Sequence, residues 1–243
     1  MKSFFGEIEG TGFEILEEEF ESCLTGHGRV ERLWTGARWV EGPVWFPAGR
    51  FLVFSDIPNN RMLRWDETNG HISEFRNPSN FSNGNTRDLQ GRLITCQHLS
   101  RSVTRTEHSG EVTTLASQYD GKRLNSPNDV IVKSDGSIWF TDPDYGIMSD
   151  YEGRKSPNEQ SSCNVFRIDQ KTGNIDLITD QLIKPNGLCF NKSESKLYVS
   201  DTGGSHAKGG PRNIYSFDLK GEKIASEDPK LFAECSNGLF DGF

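Results

Sequence analysis

Five short stretches of the chain open on a side chain that carries an oxygen donor, and all but the last continue into a strand pattern. They are Glu41-Gly-Pro-Val-Trp-Phe, Asn83-Gly-Asn-Thr, Asn128-Asp-Val-Ile-Val, Asn186-Gly-Leu-Cys-Phe and Asp241-Gly-Phe. Their first residues are separated by 42, 45, 58 and 55 positions. That period is the length of a four-stranded propeller blade, and blades stand around one axis. Equivalent positions of radially repeated units face the centre, so Glu41, Asn83, Asn128, Asn186 and Asp241 are expected to meet there. Their carboxylates and amide carbonyls form an all-oxygen set in which Glu41 and Asp241 supply the charge to balance a divalent cation. Calcium accepts such a set at flexible geometry. No thiolate or imidazole cluster is present that would select zinc strongly. An ion held this way, open on one side, polarises a carbonyl or positions a water. Taken singly, each Asn-Gly or Asp-Gly is a common turn dipeptide. Recurrence in register, with Glu at one position, favours the shared ion site.

Each repeat reads as four strands joined by tight turns. The first has strands at 44–46, 51–56, 62–65 and 71–75, and the second at 91–96, 102–106 and 111–115 after its opening strand. The third has 138–142, 164–169 and 174–178, and the fourth 196–201 and 213–218. Asp-Gly, Asn-Gly and Thr-Gly at the joints are hairpin signals because they tolerate positive φ. The first two strands of a repeat form an antiparallel hairpin, so Asp56, His98, Asp142 and Asp201 emerge on the same rim as the five repeat-opening residues. The three aspartates, each after Ser or Thr, are expected to cap local backbone. His98 could be a general base, a substrate contact or a hydrogen-bonded surface group. Residues 143–163, polar and rich in Gly, Ser and Asn, form either a lid or rim over a pocket or a solvated loop. No stretch has a strong helical period; residues 14–22 come nearest.

The composition narrows the function classes. A chain of 243 residues is long enough for one all-β domain with a real core. Net charge of −8 with no basic stripe argues against a nucleic-acid partner. The five cysteines show no CxxC or zinc spacing, and their odd number leaves at least one thiol unpaired in any monomeric disulfide scheme. Cys96 and Cys189 fall inside strand patterns, where cysteine packs as a small apolar residue, and a reducing compartment is expected. Residues 1–9 carry acids where a secretory leader needs an unbroken apolar core, and no run approaches transmembrane length. No membrane partner and a cytoplasmic location are expected.

Six motifs together carry a resemblance: Glu-Gly-Pro-Val-Trp-Phe, Leu-Ile-Thr-Cys-Gln-His, Lys-Arg-Leu-Asn-Ser-Pro-Asn-Asp-Val, Asp-Gly-Ser-Ile-Trp-Phe-Thr-Asp-Pro, Lys-Pro-Asn-Gly-Leu and Tyr-Val-Ser-Asp-Thr-Gly. The chain resembles the SMP-30/gluconolactonase/LRE-like family, in its bacterial-type gluconolactonase branch, over residues 28–243. The resemblance implies a six-bladed β-propeller of four-stranded antiparallel blades and hydrolysis of sugar lactones such as glucono-1,5-lactone. It implies a central divalent metal, calcium first with zinc or magnesium as alternatives, on Glu41, Asn128, Asn186 and Asp241. Asn83, left over from the repeat set, falls with Asn85 in the substrate pocket.

On this reading a water activated by Asp241 or Asp201, with His98 as second choice, attacks the lactone carbonyl, while Asn83, Asn85, Asn128 and His98 bind sugar hydroxyls. Residues 1–27 are expected as an N-terminal extension. The chain stops where Asp241-Gly-Phe opens a fifth copy, so a propeller truncated at its C-terminal side is expected, with residues 30–34 completing the last blade. The rival readings are a non-catalytic calcium-binding or protein-binding propeller and an inactive truncated homologue.

Overall fold

The computed structural model of the chain describes residues 6–8, 11–25, 28–226 and 228–243. The chain divides into two compact units, residues 1–37 and 38–243. In the first unit Gly6–Glu7 pairs antiparallel with Glu31–Arg32, and Glu18–Cys23 forms a 3-10 helix where the weak helical period fell. Residues 30–34 were expected to complete a blade; in the structure Glu31–Arg32 pairs within this unit instead. Part of the leader-peptide reading, at residues 1–5 and 9, lies outside the described residues, as do residues 10, 26 and 27 of the expected extension. No helix among the described residues is long and apolar enough to cross a membrane.

The second unit contains four antiparallel meanders. The first runs Val40–Phe46, Phe51–Asp56, Arg61–Asp66 and Ile72–Arg76, and the second Ser82–Arg87, Leu93–Gln97, Ser102–Thr106 and Val112–Ala116. The third runs Val130–Val132, Ile138–Asp142, Asn164–Ile168 and Ile175–Thr179. In the fourth, Pro185–Phe190, Lys196–Asp201 and Asn213–Lys220 are followed by Lys230–Glu234, with the short Lys223–Ile224 also on Asn213–Lys220. The architecture is all-β and propeller-like. The last copy, Asp241-Gly-Phe, has no strand of its own.

Period-2 alternation sends neighbouring side chains to opposite faces of a sheet, and the third sheet uses both faces. Phe140 and Phe166 pack with Ile94, Cys96 and Val103 of the second sheet, while Trp139 and Val165 pack with Leu188, Leu197 and Phe217 of the fourth. Burial on both faces explains why Ile138-Trp-Phe reads as a continuous apolar run rather than an alternating one. Cys96 is fully buried in this packing, as a small apolar residue should be.

The second strand of a sheet is also tied to the repeat-opening segment that follows. The Ser55 hydroxyl donates to the Asn83 carbonyl at 2.7 Å, Thr141 to the Asn186 carbonyl at 2.7 Å and Ser200 to the Asp241 carbonyl at 3.1 Å. Cys96 occupies this register in the second sheet. There the Gly84 amide donates to the Asn128 carbonyl at 2.7 Å.

The glycines after Glu41, Asn83 and Asn186 now have a physical reason. A Cβ on Gly42 would lie 2.3 Å from the Asn83 carbonyl oxygen, on Gly84 2.4 Å from that of Asn128, and on Gly187 2.3 Å from that of Asp241. Only Gly42 of the three has positive φ. At Gly84 and Gly187 the requirement is therefore close approach of the next inner strand, not turn conformation.

Candidate functional site

The inner strands bring the five repeat-opening residues together. Glu41, Asn83, Asn128, Asn186 and Asp241 all line one cavity of about 140 Å³. The same five line a second cavity of about 470 Å³, which Asn85 and Asp129 also line. The five thus form the collar shared by the two spaces. The smaller cavity is also lined by Trp39, Ile57, Leu239 and Phe240.

Residues 143–163 supply a rim to this cavity. A short helix, Tyr145–Met148, brings in Tyr145, whose hydroxyl lies 2.5 Å from Thr202 Oγ1 and 3.2 Å from Ser205 Oγ. Further along, Glu152 adds a carboxylate to the lining.

The collar carries more negative charge than its surroundings compensate. Burial, and then the charge of Asp241, raises the Glu41 carboxyl to about 7, against the opposing effect of the Trp39 indole N–H, which donates to Glu41 Oε1 at 3.0 Å. Burial likewise raises Asp129 to about 7, with Asp241 adding to it, although part of this residue stays open to the larger cavity. Glu152 moves in the same direction through burial and Asp241. Among the described residues no Lys or Arg lines either cavity. Hard oxygen donors with uncompensated carboxylates fit a divalent cation of the calcium or magnesium class. No group of three or more His, Cys, Asp or Glu side chains among the described residues is placed to hold a metal. The collar is a different donor class, with amides making up the set.

Three residues with expected roles at the site have their polar atoms engaged by the protein itself. Asp201 was a candidate base, but its carboxylate accepts the backbone N–H groups of Ile183, Lys184 and Gly203 at 2.8, 2.9 and 3.0 Å. It caps the chain entering its own sheet and does not line the smaller cavity. Asp56 does the same for Arg38 and Asp142 for Asn125, at 3.0 and 2.7 Å. Asn85 was a candidate sugar contact. Its amide nitrogen donates to the Gly42 carbonyl, Ser55 Oγ and the Asn83 carbonyl at 3.0, 3.0 and 2.9 Å, and its oxygen accepts from Thr95 at 2.8 Å. It fastens the first two inner strands together. His98 was a candidate base and sugar contact, yet it is fully buried behind the collar, and burial lowers its imidazole to about 4. It is neutral near pH 7, with both ring nitrogens engaged by protein.

Two residues of the site were missed. Asp129 stands where the other copies have Gly, and that break in the pattern was its signal. Glu152 has no repeat equivalent, so nothing in the spacing pointed to it.

Comparison with known proteins agrees with this architecture. Residues 39–243 match the model of the SMP-30/gluconolactonase/LRE-like region. The chain is 34% identical over 188 residues to a gluconolactonase of Zymomonas mobilis, covering 71% of this chain and 51% of that one. It is 25% identical over 214 residues to a pentonolactonase of Haloferax volcanii, covering 86% and 63%. A solved gluconolactonase structure from Xanthomonas campestris superposes with a TM-score of 0.82 at 38% identity, covering 90% of this chain and 70% of that one. The chain therefore spans about half the length of the Zymomonas relative. With the family model matched from the first inner strand to the last residue, and the collar built from its repeats, the chain belongs to the SMP-30/gluconolactonase/LRE-like family.

Proposed function

We propose that this chain carries the hydrolytic site of a metal-dependent sugar lactonase, opening lactones of the glucono-1,5-lactone type to aldonic acids. We further propose that its four sheets belong to a closed six-bladed ring. The observation that carries the reading is the collar itself: five repeats deliver Glu41, Asn83, Asn128, Asn186 and Asp241 to one cavity that no lysine or arginine among the described residues lines. The identities of 34% and 38% to gluconolactonases supply the substrate class.

Glu41, Asn128, Asn186 and Asp241 would hold the cation, calcium in the first instance. When bound, it supplies Lewis acidity toward a lactone carbonyl. The chain's own residues do the rest. Of the three candidate bases, Asp241 alone lines the smaller cavity, and its carboxylate takes the proton from the attacking water. The carbonyl carbon then gains the water oxygen, the ring C–O bond breaks, and the ring oxygen takes the proton back from Asp241 and leaves as the hydroxyl of the open acid. Glu41 is held toward its task by the Trp39 indole. Ile57, Leu239 and Phe240 give the cavity an apolar side beside its oxygen donors.

The test is acid release from glucono-1,5-lactone, followed with a pH indicator, with and without chelator and with Glu41→Gln. Turnover that survives complete metal removal rejects the metal's role. Calcium binding without hydrolysis of any lactone in a panel rejects the enzyme and favours a binding propeller.

A further inference from the structure

Asn83 is the one collar residue that the metal set leaves over, and the fully buried ring of His98 stands behind it. The Asn83 side-chain nitrogen lies 3.2 Å from His98 Nε2, and His98 Nδ1 lies 2.9 Å from the backbone carbonyl oxygen of Glu152. A carbonyl oxygen can only accept, so Nδ1 carries the proton and donates to it. Nε2 is then a bare lone pair, and only the NH₂ end of Asn83 can face it. The amide is thereby oriented by chemistry: its nitrogen turns back to His98, and its oxygen is the end left for the cavity that Asn83 lines.

The packing around the ring makes this arrangement hard to change. A Cβ on Gly146 would lie 2.4 Å from His98 Cβ, and one on Gly153 would lie 2.0 Å from the Gly146 carbonyl oxygen. The rim is stacked on the imidazole with no room for a side chain at either glycine. The Gly146 amide also donates to Ser126 Oγ at 2.9 Å, and the Arg154 amide to the Gly146 carbonyl at 3.0 Å. Glu152, whose carboxylate lines the same cavity, is thus held by its main chain to the ring that orients Asn83.

We propose that His98 is a positioning residue that turns the Asn83 carbonyl oxygen into the cavity as a hydrogen-bond acceptor and docks the Glu152 rim beside it, so that the two together accept from hydroxyl groups of the bound molecule. The identity of that molecule as a sugar lactone rests on the proposed function; the orientation of Asn83 does not. The chemistry selects a polyhydroxylated ligand, which is rich in donors, over one that presents acceptors at this position.

Two measurements on the full chain separate these parts. The first uses ¹⁵N-histidine labelling, with the His98 signal assigned by its loss in His98→Phe among the five histidines. The expected result is a neutral ring protonated at Nδ1, with the bare Nε2 shift changed in Asn83→Ala. A ring protonated at Nε2, the form favoured by free imidazole side chains, overturns the proposal whatever the enzyme does. The second is steady-state hydrolysis of glucono-1,5-lactone. His98→Phe should raise KM roughly three- to tenfold, the value of one neutral hydrogen bond, with a much smaller change in kcat. His98→Gln, which keeps one donor and one acceptor, should restore most of that loss. In an Asn83→Ala background His98→Phe should raise KM clearly less than it does alone, the remainder coming through the Glu152 rim, an outcome that a purely structural histidine would not give. Additive KM effects overturn the proposal. If the unaltered chain hydrolyses no lactone, the lactonase reading falls, and the tautomer still decides how Asn83 is oriented.

Discussion

Gly84→Ala tests whether the inner strands are held at backbone contact. The added Cβ would meet the Asn128 carbonyl oxygen at 2.4 Å and the Asp129 Cα and Oδ1 at 2.7 Å. Two of these three atoms are backbone and cannot rotate away. To reach an ordinary separation the strands must part by several tenths of an ångström or more. That motion lengthens the 2.7 Å hydrogen bond from the Gly84 amide to the same oxygen.

Overpacking costs about 1–3 kcal/mol, and weakening one buried hydrogen bond costs up to about 1 kcal/mol. The reduced freedom of the unfolded chain returns about 0.4–1 kcal/mol. The net expectation is a loss of about 2 kcal/mol in urea unfolding, with the m-value unchanged. Gly110, at φ 91° with open space around its Cβ, is the control. Alanine there meets backbone strain alone, about 1–2 kcal/mol, and leaves the collar untouched. Gly84→Ala displaces Asn128 as well, so it should also weaken cation binding where Gly110→Ala does not. A Gly84→Ala protein as stable as the original, or one that binds calcium unchanged, would refute the close-contact account.

Further expectations concern charge and capping. His98 is held neutral with its imidazole lowered to about 4, so the folded state takes up fewer protons than the unfolded one between that value and about 6.5. Stability measured against His98→Phe should therefore fall by about 3 kcal/mol as the pH drops from 7 to 4 and level off below. The comparison with the variant is needed because Glu41, Asp129 and Asp142, raised to about 7, 7 and 8, shift stability the opposite way over that range. A pH-independent difference between the two proteins would contradict the buried neutral ring. Asp201→Ala, which strips three backbone N–H groups of their acceptor, should cost about 2–3 kcal/mol of stability by urea titration while the KM for lactone holds. A loss of turnover without a loss of stability would return Asp201 to the list of bases. Calcium at 100 times its Kd should stabilise the chain by about 2.7 kcal/mol, seen as a rise in Tm that Glu41→Gln abolishes; an equal rise in the variant would remove Glu41 from the cation's donors.

Much of the architecture was legible because it repeats. Strand limits at 51–56, 102–106, 138–142 and 196–201 follow from turn residues and apolar runs, and the structure places strands over the same residues. The period also identified the five collar residues, since rotation about an axis turns equal spacing into a common centre. What lay outside the repeat was not legible. Glu152 reaches the cavity from a polar excursion without periodicity, and its position depends on glycines packed against a buried ring. Asn85 and His98 have the right chemistry and neighbourhood for substrate contacts, yet their polar atoms are taken by main chain and side chains that only the folded strands bring near. Taken singly the X-Gly pairs look like turn dipeptides, yet all three glycines are at close contact with the next segment and only Gly42 also has positive φ, a distinction that sequence spacing does not carry.

The ties from Ser55 to Asn83, Thr141 to Asn186 and Ser200 to Asp241 run from the first, third and fourth sheets to the segment that follows each, and the Gly84 amide ties the second sheet to Asn128. Asn83, Asn128, Asn186 and Asp241 are thus each anchored by the sheet that precedes them in the chain. Redesign of the excursion at 143–163 can alter what enters without disturbing these anchors, except where Gly146 and Glu152 touch His98. Transplanting a single sheet would leave one donor without its clamp, so the smallest exchangeable unit is a sheet together with the hydroxyl or amide that the one before it supplies.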